Sequence, residues 1–287
     1  MQRRWNVAGS IAVLGSMHGK ERAMAPVLAA TLGLRVELAH GLDTDRFGTF
    51  TRVVPRVMPA LDTARAKALA AMKVLGRARL GLANEGSFGP HPSIPFVAGG
   101  VEVVLLLDRD EGIELTGTDV TLETNFASLC TSSVGEALSF AKRVMFPSHA
   151  LVVMAASDGA PEPAGGIVSG VICRTQLEHA VRSAIGRCGS VWLETDMRAH
   201  HNPTRMRSIE RATTALAKAA NSLCPSCKRP GFVCVERRGN MPCAACGAPT
   251  QRTNLELLRC AYCGCMEERP LRSVSYAEAS ECPLCNP

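Results

Sequence analysis

The stretch RLGLANEGSFGPHPSIPF, residues 79–96, decides the fold class of this 287-residue chain. Its first part, RLGLAN, is a short, mostly apolar run of the length expected for a buried β-strand. The run ends just before Glu85, and the Gly and Pro residues that follow break regular structure. The pattern therefore predicts a strand that ends at Asn84 and a polar loop that starts at Glu85.

Similar apolar runs lie on both sides of this stretch and alternate with segments of helical period, as in residues 60–75. Alternating strands and helices predict an α/β fold, a layered mixed sheet with flanking helices. Residues 157–166, SDGAPEPAGG, are predicted to form a loop. The predicted strands are 11–14, 34–39, 79–84, 101–108, 150–156 and 190–196, and the predicted helices are 18–33, 60–75, 134–146, 175–189 and 204–223.

After Leu223 the composition changes abruptly to Cys, Pro, Gly and Arg, which predicts an α/β domain over 1–222 and a small domain over 223–287. The tail contains four C-x-x-C knuckles, and two knuckles complete one tetrahedral S₄ site. We therefore expect a double zinc ribbon with two structural zinc ions. Sequential pairing of the knuckles is simplest, but an interleaved arrangement uses the same ligands. The predicted ligands are Cys224, Cys227, Cys243, Cys246, Cys260, Cys263, Cys282 and Cys285.

Composition restricts the cellular setting and the partners. The net charge of +6 is a mild bias towards anionic partners. No stretch approaches the roughly 20 apolar residues of a membrane span, so no membrane partner is predicted. The apolar run near the N-terminus is short, is broken by glycines and lacks a clean cleavage site, which favours a strand over a signal peptide. Paired cysteines without an export signal indicate a reducing compartment, and we expect a cytoplasmic protein.

Polar side chains follow several predicted strands, where open α/β sheets bind their ligands. Lys20 lies at the start of the first predicted helix, where amides and an ammonium group favour phosphate. Asp43 and Asp45 offer two carboxylates, and the segment TDMRAHHNPTRM, residues 195–206, is the densest polar cluster. The candidate substrate-binding residues are Ser16, His18, Ser87, His91, Asn125, Asp196, Arg198, His200, Asn202 and Arg205.

Taken together, the motifs SMHGKE, DTDRFGTFT, EGSFGPHP and TDMRAHHNPTRM and the cysteine tail resemble an uncharacterised bacterial domain-of-unknown-function family. This resemblance covers nearly the whole chain and implies no activity.

Roughly the first hundred residues are also similar, more weakly, to the inosine/xanthosine triphosphatases, α/β enzymes with a cleft between two lobes. The similarity rests on GS and a lysine after the first strand, ARAKA on a helix, and LGLANEGSFG. It implies that Lys20 contacts phosphate, that Arg65 lies near it, and that Glu85 binds Mg²⁺. The loop before Lys20 is one residue shorter than in that family, and the acidic run before the family's A-R-N-R-A helix is replaced by VMPALDT.

Two functional hypotheses follow. The first is a Mg²⁺-dependent hydrolase that acts on a nucleotide or related phosphoanhydride, with basic side chains that neutralise charge in the transition state. The alternative is a zinc-ribbon protein that binds nucleic acid or processes RNA, supported by the arginines of the last predicted helix. Glu85 has a non-catalytic interpretation as well, in which it caps a turn or pairs with an arginine. The candidate catalytic residues are Glu85, Lys20, Arg65, Asp43 and Asp45.

Overall fold

The computed structural model describes residues 5–50, 54–76, 78–271 and 275–287, and in these ranges the chain forms five α-helices and twelve β-strands. The mixed α/β class predicted from the sequence is confirmed. The chain divides into two compact units, Val7–Ala217 and Lys218–Pro287, and the second also contains Trp5 and Asn6. Thr51, which ends the motif DTDRFGTFT, and residues 1–4 of the predicted first domain lie outside the described residues. Within the described ranges no helix has the length and apolarity needed to cross a membrane.

The first sheet of the larger unit is mixed, with strand order β2-β1-β3-β4-β5. Strand β1 is parallel to both β2 and β3, whereas β3, β4 and β5 form an antiparallel meander. Two helices flank these strands, and one packs its alanine-rich face on the sheet. The elements are β1 (Ile11–Leu14), α1 (Glu21–Leu32), β2 (Arg35–Leu38), α2 (Ala60–Val74), β3 (Leu80–His91), β4 (Ile94–Asp108) and β5 (Ile113–Thr121).

Strand β3 does not end where the sequence predicts. The pairing of β1 with β3 stops at Leu82, but β3 continues to His91 because β4 pairs with it along its whole length. Glu85 lies opposite Val103 in this ladder, so the prediction that Glu85 starts a loop is wrong. Pairing with a long neighbouring strand has overridden the weak strand propensity of the Gly and Pro positions.

The second sheet is wholly antiparallel, with order β6-β9-β7-β8. Its core contains Phe140, Leu151, Val181 and Leu193, all fully buried. The segment predicted as a loop, SDGAPEPAGG, instead makes a hairpin, since Asp158 and Gly159 both adopt positive φ as a tight two-residue turn requires. The elements are β6 (Ser128–Thr131), α3 (Val134–Arg143), β7 (Leu151–Ser157), β8 (Ala160–Val171), α4 (Arg174–Cys188) and β9 (Val191–Thr195).

The last helix, α5 (Pro203–Asn221), begins where the sequence predicts. Asn202 caps it, because its Oδ1 accepts a hydrogen bond from the amide of Arg205 at 2.9 Å. The helix lies directly on β5: a Cβ at Gly117 would come within 2.1 Å of the backbone nitrogen of Leu216. The close approach at Gly117 holds the later turns of α5 against the first sheet.

The smaller unit contains a three-stranded antiparallel sheet that sequence patterns did not predict. Its small core combines Phe232 and Leu258 with the sulfur atoms of Cys224 and Cys260. The strands are β10 (Phe232–Arg238), β11 (Leu255–Cys260) and β12 (Met266–Pro270).

Candidate anion-binding site and metal centres

A small pocket rich in basic side chains lies beyond the carboxyl end of β1, and we call it the cationic pocket. The loop after β1, the segment 44–50, helix α2, strand β3 and the residues around the start of α5 each contribute to its wall. The lining residues are Ser16, His18, Lys20, Thr44, Asp45, Gly48, Thr49, Phe50, Lys67, Glu85, Arg198 and Arg205.

Glu85 is buried in this wall and is surrounded by cations. Its Oε1 is bound by the ammonium group of Lys67, and its Oε2 lies 3.2 Å from Nη2 of Arg56. Burial alone would raise the pKa of Glu85, but Lys20, Lys67 and Arg56 outweigh it and hold the pKa below its usual value. The interpretation that Glu85 pairs with an arginine is confirmed.

This geometry gives no support to a magnesium ion on Glu85. Both of its carboxylate oxygens already accept bonds from cations, and a hard divalent ion would have to displace them. Within the described ranges, the groups of three or more His, Cys, Asp or Glu side chains close enough to share a metal are two sets of cysteines.

Lys20 is fully buried at the base of the pocket. Its Nζ donates a hydrogen bond to the carbonyl oxygen of Asn84 at 2.8 Å. Burial, helped by the positive charges of Arg205 and Lys67, lowers the pKa of Lys20 to about 7 despite the opposing effect of Glu85. Near neutral pH this amine is therefore poised between its charged and neutral forms.

Arg205, in the first turn of α5, reaches the buried carboxylate of Glu102 on β4. Its Nε donates to Oε1 at 2.6 Å, and the amide of Asn84 donates to Oε2 at 2.9 Å. Gly86 permits this approach, since a Cβ there would lie 2.5 Å from Oε1 of Glu102 and 2.9 Å from Nη2 of Arg205.

The Nη2 atom of Arg205 is buried and has no hydrogen-bond partner among the residues that the structure describes. The guanidinium carbon lies 4.6 Å from the ring centroid of Phe50 and 5.4 Å from that of Phe88. These rings stabilise the charge but offer no lone pair to the N–H group. A buried donor without an acceptor is costly, so the fold leaves part of the Arg205 guanidinium unsatisfied beside the pocket.

Residues from the loop after β9 complete the site. Arg198 binds Asp196 with two nitrogens, at 2.6 Å from Nη2 and 3.0 Å from Nε. His18 lies 3.2 Å from a carboxylate oxygen of Asp45, and its ring stacks on His200 with centroids 4.9 Å apart. Burial is the main cause that lowers the pKa of both histidines, and that of His200 falls to about 4. The imidazole of His200 is therefore neutral at neutral pH.

The structure brings part of the predicted set together and separates the rest. Ser16, His18, Lys20, Asp45, Glu85, Arg198 and Arg205 line the cationic pocket. Ser87 is exposed on β3, and the ring of His91 accepts a bond from the amide of Ser93 at the tip of the β3–β4 hairpin. Asp43 lines an adjoining groove.

Three other predicted site residues have structural partners instead. Asn125 and Asn202 are buried and bond to each other, 2.8 Å apart. Arg65 is not near the pocket, which corrects the role implied for it. It binds Glu114 at 2.7 Å and Asp62 at 2.6 Å on the exposed side of α2.

Sequence reasoning missed Lys67, Arg56 and Glu102. Lys67 carried a detectable signal, because it lies among the alanines that form the buried face of α2, such as Ala64 and Ala68. A lysine on an apolar helix face requires a buried partner. Arg56 and Glu102 lie in segments where no local pattern distinguishes them.

In the smaller unit the cysteines form two clusters, each with four sulfurs within 4.8 Å of one another. The pairing of the knuckles is interleaved: the first knuckle joins the third, and the second joins the fourth, so the simpler sequential pairing is wrong. Sulfur–sulfur distances such as 3.6 Å between Cys224 and Cys263 and 3.9 Å between Cys243 and Cys285 fit a tetrahedral zinc site, whose edge is about 3.8 Å for Zn–S bonds near 2.3 Å. The two clusters could therefore hold two zinc ions.

A family model described as a domain of unknown function (DUF6671) matches residues 67–287. The chain belongs to this family. The matched region begins at Lys67 and includes Glu85, Glu102, Arg205 and all eight knuckle cysteines. A comparison with curated proteins gave no match. The similarity to the inosine/xanthosine triphosphatases stays a prediction.

Proposed function

We propose that the α/β unit binds a phosphorylated small molecule or nucleotide in the cationic pocket and hydrolyses a phosphate bond there. The observation that supports it most is the convergence of basic side chains from separate segments on one small pocket, among them Arg205, whose Nη2 has no hydrogen-bond partner among the described residues. Such preorganised donors stabilise anions, and the charge that develops during phosphoryl transfer, without reorganising.

The residues of the cationic pocket suit a phosphate hydrolysis in which Glu85 does not bind Mg²⁺. Arg198 and Arg205 would neutralise the phosphoryl oxygens, and the hydroxyls of Ser16 and Thr49 line the same wall. Lys20, with a pKa of about 7, can hold a proton and release it to a leaving-group oxygen at neutral pH. Glu85 keeps the lysines and arginines close together by balancing their charge.

The nucleic-acid alternative has less support, because two of the helix arginines that favoured it, Arg205 and Arg211, are paired with carboxylates. Arg211 of α5 binds Asp119 at 2.9 Å. Arg238, in the sheet of the smaller unit, binds Glu236 and Glu268 at 3.1 Å each. The zinc sites use four thiolates each, which leaves no open coordination position for catalysis and favours a structural role.

Substituting Lys20 with methionine tests the proposal. Isothermal titration of the zinc-loaded protein with inorganic phosphate should show binding to the wild type, and affinity about 10–100-fold weaker in Lys20→Met, since one charge-assisted hydrogen bond is lost. Stability should fall by no more than about 1 kcal/mol, because burying an ammonium group is itself unfavourable. The exposed Lys73 on α2 provides the matched control, Lys73→Met, with wild-type affinity. No binding to the wild type, or equal binding to Lys20→Met, would contradict the proposal.

The lowered pKa of Lys20 also predicts the pH dependence of anion binding. Sulfate is a suitable probe because its charge is constant between pH 6 and 9. It should bind the charged form of Lys20, so affinity should be highest below about pH 7 and fall towards tenfold per pH unit above it. The decline should be absent in Lys20→Met. A flat profile for the wild type, measured by titration calorimetry, would show that Lys20 does not titrate in contact with the anion.

A further inference from the structure

The net charge of the cationic pocket is small. The pocket wall and the groups that pair with it hold five basic side chains, three buried carboxylates and the half-exposed Asp45. When Lys20 is protonated the surplus is therefore one positive charge, or two if the solvent-screened Asp45 is left out. That surplus matches the one or two negative charges of a single phosphate group, not the four of a triphosphate. The cations are Lys20, Lys67, Arg56, Arg198 and Arg205, and the buried carboxylates are Glu85, Glu102 and Asp196.

The volume of the pocket also matches a single phosphate group. The space open to the centre of a water molecule is about 20 Å³. With the radius of a water molecule added on every side, this corresponds to one compact group about 6 Å across. One tetrahedral phosphate fits such a space, whereas a chain of phosphates has to leave it.

A larger groove adjoins the pocket at Ser16, which lines both. The groove has a volume of about 590 Å³, within the range of small-molecule sites. The carboxylates of Glu21 and Asp43 line it, together with apolar surface from Leu42. Arg22, which also lines the groove, balances one of the two negative charges. A phosphate chain that entered this groove would meet a net negative charge.

We infer that the ligand is a phosphate monoester, with its one phosphate in the cationic pocket and, in the groove, an uncharged organic part that carries hydroxyl or aromatic amino groups. The inference rests on the proposed function and narrows it, because it excludes nucleoside triphosphates as preferred ligands. Hydroxyl or aromatic amino groups of the organic part would donate hydrogen bonds to Glu21 and Asp43.

Titrations of the full-length, zinc-loaded protein with adenosine monophosphate and adenosine triphosphate, in buffer freed of other divalent ions by a chelating resin, test the inference. The monophosphate should bind at least about tenfold more tightly than the triphosphate. In Glu21→Gln/Asp43→Asn, the ratio of triphosphate to monophosphate affinity should rise by about tenfold. The amide at position 43 keeps an acceptor for the backbone N–H of Asp45, which the Asp43 carboxylate binds at 2.9 Å.

The outcomes separate the two proposals. If neither nucleotide nor inorganic phosphate binds, the proposed function fails. If the wild type prefers the triphosphate, the phosphate-binding function stands and the monoester inference is overturned. If the monophosphate is preferred but the double variant leaves the ratio unchanged, the groove does not select against phosphate chains and the placement of the organic part is overturned.

Discussion

Glu85→Gln should lower the free energy of unfolding of the α/β unit by about 3–5 kcal/mol, the usual loss when one partner of a buried ion pair is removed. The Glu85 side chain is only 4% exposed, and its charge compensates Lys20, Lys67 and Arg56. A glutamine leaves those three cations without their shared anion, and Lys20 and Lys67 are buried.

Urea unfolding followed by the fluorescence of Trp192 measures this loss, with Trp5→Phe in every variant so that the signal comes from one tryptophan. Glu114→Gln is the matched control. Glu114 also lies on a strand of this sheet and pairs with an arginine, but its side chain is 36% exposed. The free energy of unfolding of Glu114→Gln should fall by no more than about 1 kcal/mol. Equal, small losses for both variants would show that Glu85 is not the buried counter-ion.

Removing the metal should have a larger effect on the smaller unit. Its core holds few side chains besides Phe232, Leu258 and the cysteines, and structural zinc typically contributes about 10–16 kcal/mol to such folds. The purified protein should contain two zinc ions, and a strong chelator under reducing conditions should abolish hydrogen-exchange protection of β10–β12. Protection of β1 and β3 in the α/β unit should persist. Cys173→Ser/Cys188→Ser, which alters two exposed cysteines outside the clusters, should keep both metals.

The interleaved pairing can be read directly from cadmium-substituted protein. Each ¹¹³Cd nucleus couples to the β-protons of its own four cysteines. One cadmium should therefore correlate with Cys224 and Cys227 together with Cys260 and Cys263. Correlations that join the first knuckle to Cys243 and Cys246 would establish sequential pairing and contradict the structure.

Local signals in the sequence predicted what depends on local geometry. The knuckle spacing was sufficient to identify all eight cysteines, because C-x-x-C itself points two thiolates at one ion. Polar residues after strands led to Lys20, Arg198 and Arg205, because strand ends meet at one edge of an α/β sheet. The pairing of the knuckles depends on how the chain folds back, and no spacing encodes it.

The errors have equally specific causes. Arg65 and Lys67 are two residues apart on α2, and at 3.6 residues per turn they lie on nearly opposite faces. The resemblance selected the exposed one. Glu85 was placed in a loop because Gly86 and Gly89 weaken a strand, whereas the ladder with β4 continues through both. Once Glu85 belongs to a strand and faces Lys67, its carboxylate is a counter-ion.

The central claim is that Glu85 balances a phosphate-binding cluster of cations and does not hold a metal. Titration of Glu85→Gln with inorganic phosphate, in divalent-free buffer at a temperature where the variant is folded, tests it most directly. The account predicts that the variant still binds phosphate without any divalent ion, because the basic side chains that line the pocket remain. Phosphate binding that requires Mg²⁺ in the wild type and disappears in Glu85→Gln would contradict it.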